Sequence, residues 1–246
     1  MRILCVVPAR GGSKGVPRKN LLDVHGKPLL VWTVEQALAA RPAMDVVVST
    51  DDEEIAQVAR SAGALVPFLR PAALAQDTTP TEPVVRHAIE AARAADASPD
   101  VVMLLQATSP VRHPGTLSRA IAQLDATGVD SLVGVVPQAP FIWAEGEAGA
   151  EGGADAGPTA AYDVTARPRR QDLTSRTLRY RETGSLYLTR TWVYDELDNR
   201  LGGRIGLFVM DELEGIDVDT HLDLDVADRT LARLHPPTAL PSGSPA

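Results

Sequence analysis

Cysteine occurs once in the 246 residues, at Cys5. No intrachain disulfide is possible, so stability must come from a packed core, which a chain of this length can build. Cys5 sits inside an apolar run, Ile3 to Val7, which gives it a core role and suggests a cytoplasmic protein. Positive charge is also in deficit: 24 Lys and Arg face 32 Asp and Glu, a net charge of −8. General nucleic-acid binding needs a basic face to displace counterions, and this balance argues against it. No apolar stretch approaches the length of a membrane span, and the run after Met1 ends in Pro8 without a cleavage pattern. Neither a membrane nor a targeting segment is expected. Two familiar phosphate loops are missing as well, since there is no G-x-x-x-x-G-K-[ST] and no G-x-G-x-x-G.

What stands in their place is Val7-Pro8-Ala9-Arg10-Gly11-Gly12-Ser13-Lys14-Gly15-Val16-Pro17-Arg18-Lys19-Asn20, directly after the apolar run. Gly11, Gly12 and Gly15 let backbone N–H groups approach an anion with no Cβ in the way. Arg10, Lys14, Arg18 and Lys19 add charge within a stretch, Arg10 to Asn20, that holds no Asp or Glu. A solvated basic turn is the bland alternative. The glycines and the missing acids favour a polyphosphate site, and a triphosphate fits the field.

Short β-branched runs (Ile3 to Val7, Val46 to Ser49, Val101 to Leu105, Leu132 to Val136) alternate with helical segments near Pro28 to Ala40, Asp52 to Ala62, Pro83 to Ala95 and Gly115 to Ala126. The alternation predicts an α/β fold, a mostly parallel twisted sheet with helices on both faces. Asp51 with Glu54, and Thr220 with Asp223, have the spacing of capping pairs. The pattern breaks after Pro137. Glu145 to Pro158 is almost entirely Gly, Ala and acid, and reads as the tip of an excursion from the sheet. Strand-like Ser185 to Leu188 and Arg204 to Met210 follow, then a helix from Leu222 to Leu234. One domain over 1–234 is expected, and the Pro-rich 235–246 reads as a disordered tail.

Gly215-Ile216-Asp217-Val218-Asp219-Thr220 alternates apolar and acidic residues just before that last helix. Residues two apart on an extended strand share a face, so Asp217 and Asp219 project together. Twin carboxylates repel unless a cation lies between them, and hard oxygen ligands suit Mg²⁺. A polar strand edge, with Asp219 near the helix start, is the competing reading. Gln106, at the end of the run Leu104-Leu105, stands where open α/β sheets bind ligands. Its amide both donates and accepts, as a sugar hydroxyl or ribose requires. Arg170 offers a forked guanidinium suited to a planar carboxylate.

The glycine-rich stretch resembles the signature of the acylneuraminate (CMP-sialic acid) cytidylyltransferase family, and I-D-V-D-T before a helix resembles that family's Mg²⁺ aspartates. The resemblance runs from Ile3 to about Leu234. It implies a nucleotide-diphospho-sugar transferase-like fold with an inserted dimerisation arm at about 138–182, and a homodimer. It implies that CTP is held by Pro8, Ala9, Arg10, Gly11, Gly12, Ser13, Lys14, Lys19 and Asn20, with Arg70, Thr81 and Gln106 meeting the nucleotide. Catalysis falls to Arg10, Lys14, Lys19, Asp217 and Asp219, the last two holding Mg²⁺. A small anionic acceptor is implied at Gln106, Arg170, Gln171 and Tyr187, the last three from elements resembling the family's R-Q and N-G-[AS]-x-Y. Thr183 departs from the usual Asn there. The expected reaction transfers CMP from CTP to a nine-carbon 2-keto sugar acid (sialic, legionaminic or pseudaminic), with pyrophosphate released. KDO, a small phosphonate, and a CTP-binding module without turnover are the alternatives.

Overall fold

The computed structural model describes residues 1–12, 15–145 and 157–235. Ser13 and Lys14 of the basic loop, 146–156 of the acidic Gly/Ala stretch and the tail from 236 lie outside them. The first apolar run forms β1 (Ile3–Pro8), buried on both faces as a central parallel strand requires. A small hairpin, β2 (Asp23–Val24) and β3 (Lys27–Pro28), leads into α1 (Leu29–Ala39). There follow β4 (Asp45–Ser49), α2 (Glu53–Ser61), α3 (Thr81–Ala94), β5 (Val101–Leu104), α4 (Thr116–Thr127) and β6 (Ser131–Gln138). Beyond β6 the chain makes a two-stranded ribbon, β7 (Trp143–Ala144) and β8 (Thr159–Ala160), and returns through β9 (Arg179–Arg190). α5 (Thr191–Leu197), β10 (Ile205–Val209) and α6 (His221–Leu234) complete it.

The main sheet runs β10-β6-β9-β5-β1-β4. β4, β1 and β5 are mutually parallel, as are β6 and β10, while β9 is antiparallel to both its neighbours. The mostly parallel sheet expected from the alternation is present, with one reversed strand inserted. Period-two alternation sorts the core by face. Ile3, Cys5 and Val7 pack with Leu30, Val34, Ile55 and Leu124 of α1, α2 and α4. Leu4 and Val6 pack with Val85, Ala88 and Ile89 of α3 and with Tyr194 of α5. Trimming one such buried Leu or Ile to Ala costs about 2–5 kcal/mol.

Capping follows local chemistry, with one correction. Thr220 and Asp223 form a reciprocal capping box at the start of α6. At α2 the cap is Asp52, which accepts from the Ile55 amide. Asp51 is drawn away by the Gly11 amide and by Arg70. The residue expected as a cap is therefore a ligand of the basic loop, and its neighbour caps.

Candidate active site

The carboxyl ends of β1 and β5 open into a cleft of about 460 Å³. Pro8 ends β1 and Gln106 follows β5, and both line the cleft. Arg10, Gly15, Lys19 and Asn20 reach it from the basic loop, Arg70 and Thr81 from the opposite wall, and Asp219 from the segment before α6. Residues far apart in sequence thus share one hollow at the place where parallel sheets hold ligands.

The loop and the acidic segment are in direct contact. A Cβ built on Gly15 would lie 2.5 Å from the Asp219 carbonyl oxygen, so only glycine permits this approach. Lys19 Nζ donates to Asp219 Oδ1 at 2.9 Å and to the Val218 carbonyl at 2.5 Å. The Val218 amide in turn donates to Thr108 O, which ties the acidic segment alongside the loop after β5. Val218, between the two aspartates, is buried, and the carboxylates of Asp217 and Asp219 are close enough for one charge to act on the other. Asp219 is exposed at the cleft. Asp217 sits deeper, with Ser109 Oγ 3.5 Å from its Oδ1. Burial pushes the Asp217 carboxyl above the usual range, Asp219's charge pushes the same way, and a Thr108 hydrogen bond opposes them.

Among the described residues, each cation of the loop is held by an acid. Arg10 Nη1 donates to Asp77 Oδ1 at 2.6 Å. Arg18 pairs with Asp52 at 2.5 Å and with Glu54, so it braces α2. Arg70 is 6 % exposed, pairs with Asp51 at 3.4 Å, and leaves its Nε without a partner. Burial, with Arg10's like charge, holds its guanidinium below the ordinary range against the pull of Asp51. The Ala9 amide donates to the Ser49 carbonyl, and Asn20 Nδ2 donates to the Arg10 carbonyl. These two bonds shape the turn out of β1. Gly11 sends its amide to Asp51, and a Cβ there would meet Asp52 Oδ2 at 2.7 Å, while Gly12 has open space around it. Thr81 is the first residue of α3, with Pro80 as the cap position, so its hydroxyl is not spent on capping.

Three expected residues lie elsewhere. Arg170 and Gln171 occupy a short 3-10 turn, Arg170–Asp172, on the excursion, where the Arg170 guanidinium lies 5.9 Å from the Phe141 ring. Tyr187 is 3 % exposed, on the α3 and α5 face of the sheet, and its hydroxyl donates to Glu182. Burial, then Glu182, pushes the phenol up to about 12. In this chain it is a core residue, because β9 turns that position away from the cleft.

Sequence reasoning missed Asp77, and it named Gly184 only as part of the motif around Tyr187. Gly184 has φ +71° and lies so close to Gln106 that a Cβ would come within 2.6 Å of its Oε1. Thr183 is buried, its hydroxyl donating to the Gly134 carbonyl and accepting from the Ser185 amide. It fixes the bend that presents Gly184. The signal for Asp77 was weak, one acid in a polar loop, and its pairing depends on tertiary placement.

Fold and cleft together define a nucleotidyltransferase-like α/β domain. Residues 4–140 match the family model described as cytidylyltransferase, and the chain belongs to that family. It is 33% identical over 231 residues to N-acylneuraminate cytidylyltransferase A of Danio rerio, covering 94% of this chain and 51% of that protein. It is 43% identical over 120 residues to the pseudaminic acid cytidylyltransferase of Campylobacter jejuni, covering 49% and 52%. The chain thus spans about half the length of these curated relatives. A solved CMP:2-keto-3-deoxy-manno-octonic acid synthetase complexed with CTP superposes with a TM-score of 0.67 at 20% identity, covering 95% of this chain and 99% of that one. Among the described residues no helix is long and apolar enough to cross a membrane.

Proposed function

We propose that this chain transfers CMP from CTP to the hydroxyl of a nine-carbon 2-keto sugar acid of the sialic, legionaminic or pseudaminic type, releasing pyrophosphate. The observation that carries the reading is the contact of the basic loop with the acid pair across one cleft, at Gly15 and Lys19 against Asp219. The relatives' names supply the acceptor class.

In-line attack at the α-phosphorus gathers charge on the departing pyrophosphate, so catalysis is mainly alignment and charge neutralisation. Arg10 and Lys19, with Lys14, Ser13 and the glycine amides, would hold the phosphates and steady that charge. Bound CTP exchanges its phosphates for the carboxylates of Asp77 and Asp219, so the site is prepaid with counter-ions. Pro8, Ala9, Asn20, Arg70 and Thr81 meet the nucleoside. Gln106, backed by Gly184, faces the junction with the acceptor.

The acid pair fits a divalent ion. Two carboxylates lie near each other, one destabilised as an anion by burial and by its twin, and a lysine ammonium now rests on the other. Among the described residues no third His, Cys, Asp or Glu completes a ligand set. That suits Mg²⁺, which takes its remaining ligands from water and phosphate. Asp217 and Asp219 would hold it, and when bound it supplies Lewis-acid polarisation at the reacting phosphate. Arg170 and Gln171, away from this cleft on an exposed turn, suit a homodimer in which the excursion reaches a second copy's acceptor. A cytoplasmic location fits the single buried Cys5.

The test incubates the protein with CTP, Mg²⁺ and a panel of sugar acids and small phosphonates, reading pyrophosphate release. Release with a nine-carbon acid, lost in Asp217→Asn, is expected. CTP binding with no release across the panel would overturn the reading.

A further inference from the structure

Lys19 meets the acid pair directly: its Nζ donates to Asp219 Oδ1 at 2.9 Å and to the carbonyl of Val218, the residue between the two acids. The Lys19 side chain is 12 % exposed and that of Asp219 is 74 % exposed, so the acid faces solvent with the ammonium behind it. The same charge acts on Asp217. We propose that Lys19 is an internal cation that competes with the divalent ion for this pair, so that CTP must draw the lysine away before, or as, the ion enters. The inference rests on the reading of Asp217 and Asp219 as the ligands of that ion.

Among the described residues the other cations of the basic loop have acids of their own. Arg10 has Asp77, and Arg18 has Asp52 and Glu54. Lys19 alone of these leans on the acid pair. Loop and acidic segment do not need it as a tether, because Gly15 already brings their backbones together. A compact ammonium on a flexible stem suits a counter-ion that moves, whereas the Arg18 guanidinium, shared between two acids, suits a brace.

Asp219 is the less movable partner. Its amide donates to Asp223 Oδ2, the oxygen that also accepts from Thr220 in the cap of α6, and the Val218 amide is tied to the Thr108 carbonyl. A divalent ion on Asp219 would therefore share one carboxylate with an ammonium, and the two like charges repel. Lys19 and Arg10 both line the cleft, where a triphosphate offers oxygens to each. Moving Nζ from Asp219 to a phosphate removes the repulsion, and the same phosphates complete the ligand set of the ion. Ion and nucleotide are then coupled, and by linkage each strengthens the binding of the other by the same factor.

The test is Mn²⁺ titration of the full chain without nucleotide, read from the paramagnetic resonance of free Mn²⁺. Lys19→Met is expected to bind one ion about tenfold tighter than wild type, and so is Lys19→Gln, which keeps a donor for the Val218 carbonyl. Lys19→Arg keeps the charge and should bind as weakly as wild type. Adding Asp219→Asn to Lys19→Met should abolish the gain, which assigns the ion to the pair. The inference is overturned if both neutral variants melt cooperatively yet bind Mn²⁺ no tighter than wild type, or if Lys19→Arg gains as they do. Failure of the acid-pair reading shows elsewhere, as full pyrophosphate release by Asp217→Asn, and would remove the inference with it.

Discussion

Replacing Gly15 by alanine probes the junction on which the catalytic reading rests. The added Cβ would stand 2.5 Å from the Asp219 carbonyl oxygen, where ordinary contact begins at 3.4 Å. Loop and acidic segment must separate by about 0.9 Å, since the obstacle is backbone and cannot rotate aside. A misplacement near 1 Å costs about 100-fold in rate, or about 2.7 kcal/mol of transition-state stabilisation. Overpacking adds about 1–3 kcal/mol of lost stability. Steady-state pyrophosphate release should therefore show kcat/KM for CTP reduced about 100-fold, with a lowered melting temperature. Gly157→Ala is the control, because its Cβ has nothing within 4 Å, and it should behave as wild type. If Gly15→Ala kept both kcat/KM and Tm, the contact would not be what assembles the site.

Gly184→Ala should raise the acceptor KM about tenfold with CTP affinity unchanged, because the new methyl displaces the Gln106 amide, whose Oε1 would lie 2.6 Å away; an unchanged acceptor KM removes Gln106 from the acceptor side. Burial alone would raise the Glu82 carboxyl, yet the Arg200 hydrogen bond at 2.6 Å, a backbone hydrogen bond and the Arg200 charge together outweigh it and hold the group below its ordinary 4.5. A carboxyl depressed by folding stabilises above its unfolded value and loses that contribution as pH falls through the folded one. Wild-type Tm should accordingly exceed that of Glu82→Gln at neutral pH and converge with it on acidification, whereas parallel curves would contradict the pairing. The Cys5 thiol, fully buried and pushed up to about 12 by that burial, should react with an aromatic disulfide reagent at pH 8 only as fast as the protein opens; rapid native labelling would refute its core placement.

The parallel half was readable because buried strands and amphipathic helices advertise themselves by period, and the loop because glycine and like charge together have few other uses. The acids of I-D-V-D-T were visible for the same reason. The reversal of β9 was not, since Ser185 to Leu188 reads alike in either direction and local pattern carries no strand orientation. Tyr187 was assigned to the acceptor by motif, but face depends on register, which the Val133/Val135 irregularity opposite Gly184 shifts. Asp51 and Asp52 are indistinguishable as caps until tertiary contacts choose between them. Arg10 with Asp77, and Gly184 with Gln106, are meetings of sequence-distant segments, which local pattern cannot encode.

β9 leaves the ribbon to run antiparallel between β5 and β6, so the excursion departs and rejoins at adjoining strands while β4, β1 and β5 close the nucleotide end without it. The family match ends at residue 140, just past the last residue of β6. On the proposed reading, 139–178 can be exchanged between relatives without touching the strands that carry the cleft, and such a graft would show how much of acceptor choice the excursion holds.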